Sequence, residues 1–483
     1  MFRETALLDL SPADRALFRE FGAGPVRTPP FDRVHHAVEA CAARHPLVTA
    51  VEHGGHSLTY GELDARASLL AELLVRRGVR TGEHVGLFLS RSTWLAVGVL
   101  AVLKAGAVCV LQDAATTPEH ELRHVVRAAR VDLVLTTTAD RLPEHLAEVV
   151  AVDALPDRRP LHRTPTAEPD LAAALVTPGG VVRLSHATLC NLLLTAPGSL
   201  GIGPGTRVAQ LLHLASVPAL WEVLGTLVNG GTLVLRGDDP GRVASTADVV
   251  IATPNVLESL DPDACRGVRT VAVTGERCPP ALAQEWSRHA EFLNACGRTE
   301  LGGVTTVDRH EPGSGAVTIG RPVPNTTVYV LDEHRRPCPI GVIGEMWAGG
   351  ACVGEGRAVD DLTARRYRPD PFLGGDHVMV RTRDLVRWTG DGRLEHHGRA
   401  GDLVVVRGFP VALNAVTAAL ETAARRATTL VHDGTLIAFV SPATTKPDTA
   451  RRAVARRLPY YCVPSLVVAV DALPATGRGK VDR

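Results

Sequence analysis

From Leu58 onward, apolar positions recur alternately with the helix period and the strand period. That is the pattern of a chain that winds helices around a mostly parallel sheet. Thr59-x-x-Glu62 is a capping-box signature and predicts a helix running to about Arg77 and stopping at Gly78. Val85-Gly86-Leu87-Phe88-Leu89 then reads as a buried strand, Thr93 to Lys104 as a helix ended by Gly106, and Ala107 to Leu111 as the next strand. The alternation continues through Val131–Leu135, Thr232–Leu235 and Val249–Ala252. After about residue 315 the texture changes to short strands and turns, such as Thr327–Leu331 before Asp332-Glu333, which predicts a β-rich subdomain. A second boundary falls near Gly398-Arg399-Ala400-Gly401-Asp402. Beyond it Leu403 to Val406, a helix from about Asn414 to Arg426 and the strand Thr435 to Val440 suit a compact α+β cap of roughly 80 residues. The expected fold class is therefore α/β: a large N-terminal core over residues 1–398, with mostly parallel sheets and the β-rich subdomain, then a small mobile α+β domain over 399–483.

Composition narrows the functional classes. At 483 residues the chain exceeds what one hydrophobic core usually supports, and 45% apolar with 22% charged residues describes an ordinary globular protein. Lys+Arg of 52 offset Asp+Glu of 52, so no overall field draws the molecule to nucleic acid or anionic lipid. The nine cysteines include no Cys-x-x-Cys pair, which fits reduced thiols rather than a zinc site. Met1-Phe2-Arg3-Glu4-Thr5 does not read as a signal peptide, and no apolar run approaches the roughly 20 residues of a membrane helix. A cytoplasmic location is expected.

Several motifs follow one another along the chain: Leu58-Thr59-Tyr60-Gly61-Glu62-Leu63, Leu103-Lys104-Ala105-Gly106-Ala107, Leu293-Asn294-Ala295-Cys296-Gly297-Arg298-Thr299-Glu300, Gly344-Glu345-Met346-Trp347-Ala348-Gly349-Gly350, Met379-Val380-Arg381-Thr382-Arg383-Asp384-Leu385, Leu458-Pro459-Tyr460-Tyr461-Cys462-Val463-Pro464 and Gly479-Lys480-Val481-Asp482-Arg483. In that order the set resembles the adenylation domain of a non-ribosomal peptide synthetase, within the adenylate-forming superfamily. The resemblance implies a reaction that joins a carboxylate to the α-phosphate of ATP and releases pyrophosphate. Such a site needs positive charge, a metal ion and donors aimed at phosphate oxygens. By the resemblance, Lys480 is the catalytic lysine touching the substrate carboxylate and the transferred phosphate. Glu300 is the Mg²⁺ ligand, Thr299 faces the α-phosphate, and Asp384 accepts both ribose hydroxyls. Gly275, Glu276, Gly297 and Arg399 complete the ATP set, and the hinge falls at Gly401, with Asp402 one residue late. ATP and Mg²⁺ are the expected cofactors of an active protein, neither tightly bound.

The same alignment exposes departures. Where the family carries Gly-Thr-Thr-Gly-x-Pro-Lys-Gly, a loop that holds the β- and γ-phosphates, Leu175-Val176-Thr177-Pro178-Gly179-Gly180-Val181-Val182-Arg183-Leu184-Ser185-His186 is about five residues short and lacks the lysine. Thr177, Gly179 and Gly180 remain as a tight turn, with Arg183 the nearest cation. Cys296 stands where an aromatic residue stacks on adenine, Arg298 where proline is frequent, and Arg383 replaces a glycine. Counting back from Trp221-Glu222, which match the family's pocket tryptophan and its neighbour, the aspartate that binds an α-ammonium is Val217. Ile251, Ala272, Thr274, Ala295, Gly302, Gly303 and Val304 fall around the same, largely apolar, substrate pocket. An ammonium there would be desolvated without a partner, at a cost of about several kcal/mol.

Two readings follow. Loss of the amine-binding acid, the adenine platform and the triphosphate loop together suits an adenylation-domain homologue impaired or inactive in ATP-dependent activation. It would be retained as a structural module contacting a peptidyl or acyl carrier protein domain and neighbouring synthetase domains. Loss of the acid alone suits an active ligase that forms an acyl-adenylate from ATP and a small non-amino or unusual carboxylic acid for transfer to a carrier protein. The chain stops just after the Lys480 motif, where a carrier domain would be expected to begin.

Overall fold

The alternating apolar segments build two sheets that share one core. A computed structural model describes residues 2–154, 170–177, 180–314, 317–353, 366–406, 409–476 and 481. The first sheet runs Glu148–Ala151, Leu133–Thr136, His84–Phe88, Val108–Gln112, Leu171–Thr177, Gly180–Ser185, parallel until the last pair, which is an antiparallel hairpin. The second orders Arg321–Pro322, Thr306–His310, Glu291–Cys296, Thr270–Val273, Val249–Ala252, Arg207–Gln210, Thr232–Leu235, Thr49–His53 and His56–Thr59. It too is parallel through its centre and antiparallel only at its margins. Parallel pairing requires crossover helices, and these supply the filling between layers. The helix Thr93–Lys104 is buried without interruption from Leu95 to Leu103, as a helix packed on all sides must be. It joins Val217–Val228 and Tyr60–Arg76 in a single apolar cluster with strands of both sheets. The last of these helices begins with the expected capping box: Glu62 Oε2 accepts from the Thr59 amide at 2.8 Å, and the Glu62 amide donates to Thr59 Oγ1 at 3.2 Å.

Beyond the second sheet, Thr326–Leu331, Gly344–Gly350, Val378–Trp388, Tyr367–Pro369 and Leu394–Arg399 form an antiparallel sheet of five strands. The chain therefore has the α/β fold expected from its patterning, with a large N-terminal part of mostly parallel sheet and a β-rich subdomain.

The remaining segments gather around their own apolar cluster, which includes Val411, Val416, Leu420, Leu436 and Val454. Here a hairpin, Leu403–Val406 with Phe409–Ala412, precedes the helix Leu413–Leu420, the strands Arg426–His432, Thr435–Ser441 and Leu466–Ala469, and the helix Pro447–Ala455. The helix expected to reach Arg426 stops at Leu420. The alanines at 423 and 424 read as helical, but the chain must turn there to start the strand at Arg426, so they pack as loop residues against the cluster. Ion pairs link this part to the N-terminal part: Arg425 Nε lies 2.8 Å from Glu258 Oε1, Arg426 Nη2 lies 3.6 Å from Glu276 Oε2, and Arg277 pairs with Glu421.

Candidate functional site

The strands Val249–Ala252, Thr270–Val273 and Glu291–Cys296 all end at one edge of their sheet, and the loops that leave them enclose a cavity of about 480 Å³. Ligand clefts in open α/β sheets form at such carboxyl edges. Those loops supply Thr253, Thr274, Gly275, Glu276, Cys296, Gly297, Arg298, Thr299 and Glu300. Gly297 is required there, because a Cβ would meet the Gly303 carbonyl oxygen at 2.5 Å.

At one end of the cavity, Asp384 and Arg399 are direct partners across an antiparallel ladder. Arg399 Nε lies 3.3 Å and His396 Nε2 3.7 Å from Asp384 Oδ1. Burial alone would raise this carboxyl, but His396, Arg399 and Arg298 outweigh it and hold Asp384 below the ordinary carboxylate range. It is therefore an ionised acceptor facing the cavity. Asp402 also lines the cavity, tied down by the side-chain amide of Asn414. Gly401 does not line it and lies against the Arg383 guanidinium. Arg383 has φ +65°, the left-handed backbone that favours glycine, and its side chain stays out of the lining rather than crowding it.

The opposite end is built differently. Thr177 pairs with Gly180 in a hairpin separated only by positions 178 and 179, and Thr177 Oγ1 donates to the Gly180 carbonyl at 2.8 Å. Thr177 lines the cavity, while Gly179 lies outside the described residues. Arg183 is paired with Ala174 further down the ladder and is near enough to His84, at the start of its strand, to add to the lowering that burial imposes on that imidazole. Arg183 is thus absent from the described lining, because an antiparallel strand carries each residue after the turn back along the sheet.

Glu300 sits on a short 3-10 turn, Thr299–Leu301, and its buried carboxyl meets two cations: Arg366 Nη1 on Oε1, and Arg298 Nε at 3.5 Å from Oε2. Burial pushes this carboxyl up, but Arg298, its own backbone N–H and Arg366 together keep it below the ordinary range. Among the described residues no three His, Cys, Asp or Glu side chains converge as a metal site. The expected Mg²⁺ therefore does not fit this donor set, since both oxygens of the one carboxylate face guanidinium groups.

The wall between these ends is apolar, with Leu212, Ala215, Val217, Pro218 and Ala295. Val217, which was expected at the place of an amine-binding acid, packs so closely on Gly303 that a Cβ there would lie 2.4 Å from Val217 Cγ1. Cys296 offers a thiol, which burial and then Asp384 push well up from the usual value, where a flat ring was expected to stack.

Five residues counted into the pocket do not line it, among them Gly302, where a Cβ would lie 2.5 Å from Thr188 Cγ2. Trp221 is buried and donates its Nε1–H to the Gly198 carbonyl at 2.7 Å, and Ile251, Ala272 and Val304 pack inside the shared core. They belong to elements whose ends reach the cavity while their own side chains face inward. Lys480 lies outside the described residues; its neighbour Val481 lines the cavity and donates its amide to Glu276 Oε1 at 2.7 Å. Sequence reading assigned no role to Arg366, His396, Arg277 or Asn414. His396 and Asn414 flank the 398–402 motif closely enough to have drawn attention. Arg366 is 66 residues from its partner and gave no local signal.

Residues 38–356 match the family described as AMP-binding enzyme. The chain is 39% identical, over 99% of its length, to adenylate-forming reductase 06235 of Coprinopsis cinerea, and it spans about half of that relative, 48%. It is 33% identical to novobiocin biosynthesis protein H of Streptomyces niveus, over 91% of the chain and 79% of the relative. In structure it resembles the holo form of AB3403, a four-domain nonribosomal peptide synthetase bound to AMP and glycine, with TM-score 0.85, 25% identity, and coverage of 99% of this chain and 38% of that one.

Proposed function

Because the chain belongs to the AMP-binding enzyme family, as an adenylate-forming enzyme resembling synthetase adenylation domains, we propose that it is impaired in ATP-dependent amino-acid activation and retained as an interaction module of an assembly line. The observation that carries this reading is the hairpin at Thr177 and Gly180, whose threonine hydroxyl is spent on its own turn. Each lost donor to phosphate is typically worth about 1 to 3 kcal/mol, so losing several weakens triphosphate binding by roughly three orders of magnitude. The nucleoside monophosphate end, around Asp384 and Arg399, keeps its groups in place.

The family implies ATP as the nucleotide. Carrier protein and neighbouring synthetase domains are the partners we assign, in keeping with relatives of whose length this chain matches only a part. We further take 399–483 as a cap turning at Gly401 and Asp402 and presenting Lys480. The nine cysteines, all free, suit a cytoplasmic setting. No described helix is long and apolar enough to cross a membrane. Calorimetric titration decides the central point: ATP is expected to bind no better than AMP, and micromolar ATP affinity with Mg²⁺ defeats the proposal.

A second reading, an active ligase for a non-amino carboxylate, is favoured by one observation: Val217 closed over Gly303 in an apolar wall offers nothing to an ammonium. Pyrophosphate exchange with a panel of aryl and alkyl acids separates the two. Acid-dependent exchange abolished by Lys480→Ala establishes the second.

A further inference from the structure

The buried Glu300 carboxyl is already matched by two positive charges. Arg366 bonds one oxygen and Arg298 stands at 3.5 Å from the other. Arg298 is pinned from a second side, where its Nη1 donates to the Thr382 carbonyl at 3.0 Å. A guanidinium held by two elements and lining a cavity is built to receive an anion. A divalent cation arriving at Glu300 would have to displace both arginines and then sit among their like charges. A phosphate monoanion meets the opposite field, and Arg399 across the cavity adds to it.

We propose that Arg298, braced by Glu300 and Arg366, takes the place of a divalent cation, so that the phosphate of a nucleoside monophosphate binds this cavity without metal. The inference rests on the reading of the cavity as a nucleotide site. Arg298 here is a binding group, and Glu300 and Arg366 are its positioning residues.

Calorimetry with AMP and with adenosine, each in EDTA and in excess Mg²⁺, tests it on the full chain. The AMP affinity is expected to change less than twofold between EDTA and Mg²⁺. Arg298→Met, which keeps the length of the side chain, is expected to weaken AMP at least tenfold and leave adenosine unchanged, so a folding defect would be visible as loss of both. Glu300→Gln provides a signed second arm. Freed of the carboxylate, both guanidinium groups turn to phosphate and AMP binds several-fold tighter, whereas a metal ligand lost from that position weakens AMP and erases any Mg²⁺ response. AMP binding that requires Mg²⁺ by more than tenfold, or Arg298→Met binding AMP as the parent does, overturns the inference alone. Failure of the parent protein to bind either AMP or adenosine overturns the nucleotide-site reading, and this inference with it.

Discussion

The two ends of the cavity obtain their chemistry from different kinds of structure. At the end proposed to hold the ribose, Asp384 and Arg399 face each other because they are register partners on adjacent strands, so every hydrogen bond of that ladder holds them in place. At the end where the triphosphate was expected, the number of donors depends on how long one connection is. With only positions 178 and 179 between Thr177 and Gly180, the hairpin closes upon itself. Groups fixed by register survive changes elsewhere in the chain. Groups supplied by a loop vanish when that loop shortens, while the strands on either side remain sound.

The largest expected effect comes from rebuilding the weaker end. Replacing positions 178–179 with Gly-Thr-Thr-Gly-Ser-Pro-Lys-Gly is expected to raise ATP affinity by about three orders of magnitude and leave AMP within a few-fold, as measured by calorimetry. If AMP improves equally, the two ends are not independent and the contrast fails. Asp384→Ala attacks the stronger end, and is expected to weaken AMP and ATP alike by roughly ten- to a hundredfold, the worth of hydrogen bonds to a charged group. A selective loss of ATP would place Asp384 on the wrong side. Between the ends, Val217→Asp supplies an ammonium partner but puts a charge where Val217 now packs on Gly303. A gain of about tenfold in α-amino-acid binding, with a melting temperature lower by several degrees, is expected.

The smallest effect on binding concerns the scaffold that both ends share. Burial, then the neighbouring His36, lowers His35 to about 4, with Glu39 opposing and Lys104 and Arg33 assisting. Burial, then His35, Arg33 and His36, lowers His186 to about 3. His186 Nδ1 accepts the Val34 amide at 3.1 Å, which only a neutral ring can do. Because both folded values lie below the unfolded one, the stability these rings contribute is complete above pH 6.5 and is lost as pH falls toward 4. Thermal melts between pH 7.5 and 4.5 should show this decline, and His186→Asn should flatten it while the ATP-to-AMP ratio stays the same.

The central α/β layering and the capping box at Thr59 were legible because helix and strand periods alternate over long stretches and leave little freedom of interpretation. The site was legible where it lies in continuous motifs: Thr274 to Glu276, Cys296 to Glu300, Asp384 and Arg399 all reach the cavity. Trp221, Ile251, Ala272 and Val304 read equally well in sequence, yet their burial shows that alignment to a pocket fixes an element's position more than the face its side chains present. Arg366 was invisible because its partner is remote in sequence and nothing local announces the pairing. The orientation of Arg183 needed only the hairpin register, which a two-residue connection already implied.

The contacts of Arg425 and Arg426 with Glu258, Glu276 and Glu285 have a consequence of their own. The C-terminal part has an apolar cluster of its own and meets its neighbour through charges, Arg425 half-exposed and Arg426 buried. Raising ionic strength from 0.1 M to 1 M shortens the reach of exposed charges from about 10 Å to about 3 Å, so the pairs of Arg425 weaken while the buried Arg426 keeps its partners. Salt thus acts on the rim of this seam before it reaches the covered part.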